Sequence, residues 1–147
     1  MYSKEESQKI KREFWIAFAS AYPRKWLLYD TKMKGFTFKF YVDNKKAQVQ
    51  IDIEPANEEK RKIYYEKIES LQAILKSDYL ADVIFDRNHY LDTGKIISRI
   101  WVEKTDVSSN NKETWQTIFL FFNESMSQFE VFFNEYNDYI TDLELNT

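Results

Sequence analysis

The sequence predicts a single α+β domain over residues 1–147: an antiparallel sheet of about 4–5 strands with helices packed on one face. The predicted order is helix, hairpin, helix, strands, long helix. Three observations carry this. Residues 36–54 alternate apolar and polar side chains in two runs about a short turn, as a hairpin with one greasy face does. Residues 3–21 and 57–76 repeat apolar residues at helical spacing. Residues 115–143 carry large apolar side chains separated alternately by four and three positions.

The first helix is read over residues 3–21. Ser3 can cap it, with Glu6 completing a capping box. Ile10, Phe14, Ala17, Phe18 and Ala21 fall on one face, and Tyr22-Pro23 ends it, because a residue before proline avoids the helical region. Trp26-Leu27-Leu28-Tyr29 reads as a short first strand. In the hairpin, Phe36, Phe38, Phe40 and Val42 answer Ala47, Val49, Ile51 and Ile53. With Asn44-Lys45 at the tip, Phe40 faces Val49 and Phe38 faces Ile51. Tyr41, Lys39 and Thr37 then face Gln48, Gln50 and Asp52 on a polar side expected to be solvated. A one-residue slip would mix the faces, so this register is strongly specified.

Pro55 stops the hairpin and Asn57 caps a helix expected to run to about Lys76, burying Tyr64, Ile68, Leu71 and Leu75. Two strands are expected at about Ala81–Asp86 and Ile96–Glu103, joined through Asp92-Thr93-Gly94. Ser108-Ser109-Asn110-Asn111 reads as a loop that caps the last helix, about Lys112–Leu143. Its seam is Trp115, Phe119, Phe122, Met126, Phe129, Phe133, Tyr136, Ile140 and Leu143. Such a rod would reach roughly 48 Å at the helical rise, so it is expected either to kink near Asn123–Ser127 or to project. The seam is either intrachain core or the interface of a homodimer.

Composition narrows the function classes. The chain has no cysteine, one histidine and two glycines. That removes disulfides, thiolate chemistry, two-imidazole motifs and glycine-rich phosphate loops. No cofactor or metal is implied. The N-terminus shows no apolar export segment and no run approaches a membrane span, so a cytoplasmic protein is expected. Charge is uneven. Residues 1–50 hold 11 basic against 5 acidic side chains, whereas residues 103–147 hold 2 against 9.

Three constellations could carry chemistry. Asp52 and Glu54 point the same way from one strand, with Lys39 diagonal to Asp52 and Glu13 available from the first helix. Two acids and a lysine are the parts of a metal-dependent nuclease. Arg12, Arg24, Lys25, Lys39, Lys45 and Lys46, interleaved with aromatics, are candidates for phosphate contacts and base stacking. His89, beside Asp86, reads as a solvated loop or structural histidine.

Phe14-Trp15-Ile16-Ala17-Phe18, then Val49-Gln50-Ile51-Asp52-Ile53-Glu54, then Ile97-Ser98-Arg99-Ile100 ahead of a tryptophan-bearing last helix, together resemble the bacterial domain of unknown function 4268. The resemblance covers nearly the whole chain. Such domains occur alone or, in larger chains, after segments that look like nucleases or other DNA-associated modules. It implies an accessory role near DNA metabolism or defence and carries over no catalytic residue. Some longer relatives have a tryptophan where this chain has Phe85 or Tyr90. The element order also loosely matches restriction-endonuclease-like folds, an analogy that assigns no function.

The expectation is therefore a non-catalytic protein-binding or assembly module, associating as a homodimer through Trp115, Phe119, Phe122, Met126, Phe129, Phe133, Tyr136 and Ile140, with no membrane contact and an unknown protein partner. The alternatives are nucleic-acid binding through the basic N-terminal third, or a degenerate or metal-dependent nuclease.

Overall fold

The computed structural model describes residues 3–26 and 31–142. The predicted strand at 26–29 lies, apart from Trp26, outside the described residues. Trp26 itself is in coil, its ring against Phe18 and Phe40.

Helix α1 spans Lys4–Ala21, with the Ser3 hydroxyl accepting from the Glu6 N–H at 3.1 Å. Strands β1 (Phe36–Val42) and β2 (Lys46–Ile53) pair antiparallel in the register read from the sequence, Phe38 opposite Ile51 and Phe40 opposite Val49. Gly35 (φ 74°) starts this hairpin, and its carbonyl accepts from the Glu54 N–H at 2.6 Å.

The helix expected over 57–76 is two helices, α2 (Glu58–Ser70) and α3 (Gln72–Asp78). The Ser70 hydroxyl donates to the Lys67 carbonyl at 2.6 Å, and the Leu71 N–H bonds Ile68 instead. A hydroxyl competing for a backbone acceptor breaks a helix in this way, and Leu71 leaves the helical region at ψ 11°.

Strand β3 runs Ile84–Tyr90, later than expected, because Leu80 and Val83 close a turn after α3 and Val83 is buried in the core. It pairs antiparallel with β4 (Ile96–Thr105), and β4 pairs antiparallel with β2. The sheet has four strands in the order β1-β2-β4-β3.

The last helix begins as a 3-10 turn at Lys112–Thr114 and continues as α4, Trp115–Thr141. It neither kinks near Asn123–Ser127 nor presents its seam outward. The non-helical residue is Tyr136 (φ −108°, ψ 15°). Phe119, Phe122, Met126, Phe129, Phe133 and Ile140 are buried within this one chain, while Trp115 and Tyr136 are partly buried against the same core; Leu143 lies outside the described residues. Phe122 meets Phe40 of the sheet (4.7 Å between centroids) and Phe18 of α1 (5.4 Å), and Phe133 meets Phe36 and Phe38. The interface candidates are thus intrachain core. The seam has its partners in β1, β2 and α1, and the homodimer expectation loses the surface that motivated it.

α2 packs on the same side, through Tyr64 against Phe36 and Tyr65 against Phe85. This side of the sheet is made of Phe36, Phe38, Ala47, Val49, Ile51, Ile53, Ile100 and Val102, all buried. Among the described residues, the ring contacts between helices and sheet fall on this side.

Candidate functional site

The uncovered side of the sheet was expected to be wet, and on β2 it is not. Gln48, Gln50 and Asp52 are buried, Asp52 completely. Burying a carboxylate is costly unless it is paired and hydrogen-bonded, and the pairing is supplied by β4. Asp52 lies opposite Arg99 in the register. Arg99 Nε donates to Asp52 Oδ1 at 2.7 Å and Nη2 to Oδ2 at 3.0 Å, a bidentate pair. Lys39 Nζ stands 3.1 Å from Oδ2.

The network continues onto β3. Arg99 Nη1 meets His89 Nε2 at 3.1 Å, and His89 Nδ1 meets Asp86 Oδ2 at 3.0 Å. A guanidinium can only donate. His89 Nε2 therefore accepts, and its proton sits on Nδ1, which donates to Asp86. The chain reads Asp86–His89–Arg99–Asp52 across three strands.

Residues three apart on a regular strand point to opposite faces, so Asp86 and His89 could not share a face without an irregularity. The register shifts between them: Asp86 opposes Arg99 and His89 opposes Ile97. Such a bulge re-aims the side chain that follows it. Two buried groups hold it. Arg61 Nη1, from α2, donates to the Arg87 carbonyl at 2.8 Å, and the Ser98 hydroxyl donates to the same oxygen at 2.7 Å. Arg61 also donates to Ser98 Oγ and pairs with Glu58 at 2.8 Å, holding the Glu58 carboxyl below its usual range.

His89 and Arg99 of this network line a cavity of about 380 Å³. Tyr41, Gln48, Gln50, Arg99 and Trp101 line it from β1, β2 and β4, Tyr90 from the end of β3, and Leu91 and Asp92 from the β3–β4 turn. Burial pushes the Tyr41 phenol up, reinforced by its 2.9 Å hydrogen bond to Asp43 and by the charges of Asp43 and Asp92. Burial also works to raise Asp43, but the backbone N–H groups of Lys45 (2.8 Å) and Lys46 (2.9 Å) outweigh it and hold that carboxyl below the usual range.

The structure gathers Lys39, Asp52 and Glu54, with Lys39 Nζ 4.0 Å from Glu54 Oε2 and Lys95 Nζ 3.3 Å from its Oε1. It does not bring Glu13 to them. Glu13 is on α1, among the helices, and pairs with Lys112 at 3.5 Å. Both Asp52 oxygens are taken by cations, and among the described residues no group of three or more acids or imidazoles is placed to hold a metal ion. The basic candidates do not converge. Arg12 and Lys25 are exposed on and after α1. Arg24 stacks on Trp26 at 3.9 Å, donates to Ser127 at 3.1 Å and pairs with Glu130. Lys45 sits at the hairpin turn, Lys46 borders the cavity, and Lys39 belongs to the Asp52 group.

Sequence reasoning did not single out Arg99 or Trp101, placed Gln48 and Gln50 on the polar hairpin face without a role, and read His89 as a solvated loop or structural histidine. Their shared face depends on the β2–β4 pairing and on the bulge, and neither leaves a local signal.

No helix among the described residues is long and apolar enough to cross a membrane. No curated protein and no solved structure matches the chain. Residues 10–137, which hold the sheet, the bulge and most of α4, match the family described as Domain of unknown function (DUF4268), and the chain belongs to that family.

Proposed function

We propose that this chain is a non-catalytic binding module, acting near DNA metabolism or defence, whose ligand sits in the cavity on the uncovered side of the sheet. One observation carries the reading: a fully buried carboxylate, Asp52, is held in a bidentate ion pair by the partly exposed Arg99 on the side of the sheet away from the helices. Buried ion pairs contribute little net stability compared with apolar packing. What they contribute is a rigid, oriented polar floor, the property a recognition site needs. The same pairing argues against chemistry by these groups, since His89 Nε2, the atom a general base would use, is occupied by Arg99.

The test is an amide chemical-shift survey of the whole chain. Probes are nucleosides, monosaccharides, amino acids and dicarboxylates, each added at millimolar concentration. Binding is expected to shift amides within residues 41–50 and 89–101. Shifts confined to the helical layer, or none with any probe, would overturn the reading.

A second reading is a metal-dependent nuclease. It is favoured by the gathering of Lys39, Asp52 and Glu54 within 4.0 Å contacts. It requires Arg99 to release Asp52 to a metal. Magnesium- or manganese-dependent DNA cleavage that disappears in Asp52→Asn would establish it and displace the first.

A further inference from the structure

We infer that the cavity takes a nucleobase, and guanine in preference to the others; this rests on the binding-module reading above. The first argument concerns the orientation of two amides. Glu103 carries a carboxylate, which only accepts hydrogen bonds. It accepts from Gln48 Nε2 at 2.5 Å, which turns the Gln48 carbonyl the other way. That carbonyl accepts from Gln50 Nε2 at 2.6 Å. Gln50 is thereby fixed with Nε2 inward and Oε1 outward. Gln50 lines the cavity, and its Oε1 meets no donor among the described residues. Each link polarises the next, so the terminal oxygen is a strengthened acceptor.

The second argument concerns donors. Arg99 has five N–H groups and uses three, two on Asp52 and one on His89. Two remain on a guanidinium held in place from both sides, and Arg99 lines the same cavity. One is on Nη1 and one on Nη2; guanidinium donors read guanine O6 and N7, and a carbonyl beside them suits the guanine ring N–H and amino group.

The third argument concerns the walls. Tyr90 is 69% exposed and Tyr41 38% exposed at the rim, and Trp101 lies inside. The Trp101 indole N–H is shut away from solvent with no partner. A buried unpaired donor costs a fold stability. Its ring, 5.8 Å from that of His89, forms a flat wall of the cavity. Planar walls with edge-reading donors and acceptors are how proteins hold an unstacked base.

The experiment titrates the full chain with guanosine, adenosine, cytidine and glucose, and with an eight-nucleotide single strand of thymidines carrying one central guanosine. Amide shifts and calorimetry give the affinities. Guanosine is expected to shift amides of residues 48–50, 89–92 and 99–101 and to bind more tightly than the other nucleosides. Tyr90→Ala, an exposed position that leaves the core intact, is expected to weaken it about 5- to 150-fold, the value of one base–aromatic stack. Gln50→Leu is expected to reduce the preference over adenosine, leaving the part that Arg99 supplies. Tighter binding of the strand, weakening with salt, identifies a base presented by a single strand; equal or tighter binding of guanosine identifies a free nucleoside. Glucose shifting these amides while no nucleoside does would overturn the nucleobase assignment and leave the binding-module reading standing. Nucleoside binding unaffected by both variants would overturn the assignment as well. Silence of these amides towards every probe, in the survey above too, would overturn both.

Discussion

Replacing Arg99 by methionine isolates the energetics of the site. Asp52 has no exposed surface, and Arg99 supplies two of its hydrogen bonds, at 2.7 and 3.0 Å. Removing one partner of a buried ion pair leaves the other charge uncompensated and costs about 3–5 kcal/mol. The Lys39 ammonium stays 3.1 Å from Oδ2, on a side chain that is half exposed, so the loss falls at the lower end, about 3 kcal/mol. For a chain of this size that lowers Tm by roughly 6–12 °C. Asp52→Leu costs less, because the freed guanidinium can turn to water. The double variant Asp52→Leu, Arg99→Met removes both charges and is expected to recover at least about 2 kcal/mol relative to the sum of the single losses. Urea denaturation of the four proteins gives the cycle. A loss below about 1 kcal/mol for Arg99→Met, or strictly additive single effects, would refute the argument that this pair is desolvated and coupled.

Arg61→Met strips the bulge carbonyl of one of its two donors and is expected to cost about 2–3 kcal/mol. Its distinguishing readout is the His89 ring, whose nitrogen shifts should report an Nδ1–H tautomer in the parent chain and lose that preference in the variant; an unchanged tautomer would show that Arg61 does not position it. A Cβ at Gly35 would lie 2.4 Å from Pro55 Cα, whereas at Gly94 it would meet nothing within 4 Å. Gly35→Ala is therefore expected to cost about 3 kcal/mol or more and Gly94→Ala about 1 kcal/mol, the price of positive φ alone, and similar losses in thermal melts would contradict the packing of Pro55 on the hairpin. Burial, with the charge of Glu69, pushes the Tyr65 phenol up to about 12. The unfolded chain ionises this group near pH 10 while the fold keeps it neutral, so the folded state binds more protons between pH 10 and 12 and loses stability there as pH rises, by roughly 2 kcal/mol in all. Tyr65→Phe should flatten that decline in denaturation midpoints measured from pH 9 to 12; a decline of unchanged slope would place the titration elsewhere.

Much of the fold was legible because its signals are local. Alternation over 36–53 has a period of two, and only one register keeps Phe38 over Ile51 with every apolar side chain on one side. Ser3 and Asn57 cap the helices they precede, as their side chains and spacing predicted. The errors have particular causes. The break at Leu71 turns on the Ser70 hydroxyl choosing the Lys67 carbonyl, a choice a helical pattern does not encode. β3 was displaced because Asp86-Arg87-Asn88-His89 shows no alternation, and a bulged edge strand need not show any. The proximity of Lys39, Asp52 and Glu54 was legible because they share one hairpin.

What the sequence determined by itself was the set of amphipathic faces: which residues of β1, β2 and α4 must turn away from water. Periodicity suffices for that, since it follows from backbone geometry within a few residues. What tertiary structure decided was what covers each face. The aromatic seam of α4 reads equally well as core or interface, and only the sheet and α1 lying across it make it core. The polar side of β2 reads as solvated, and only Arg99, 47 positions away in the chain, makes Asp52 a buried charge. The pairing of elements distant in sequence depends on how all the faces are best buried together, which no local pattern records.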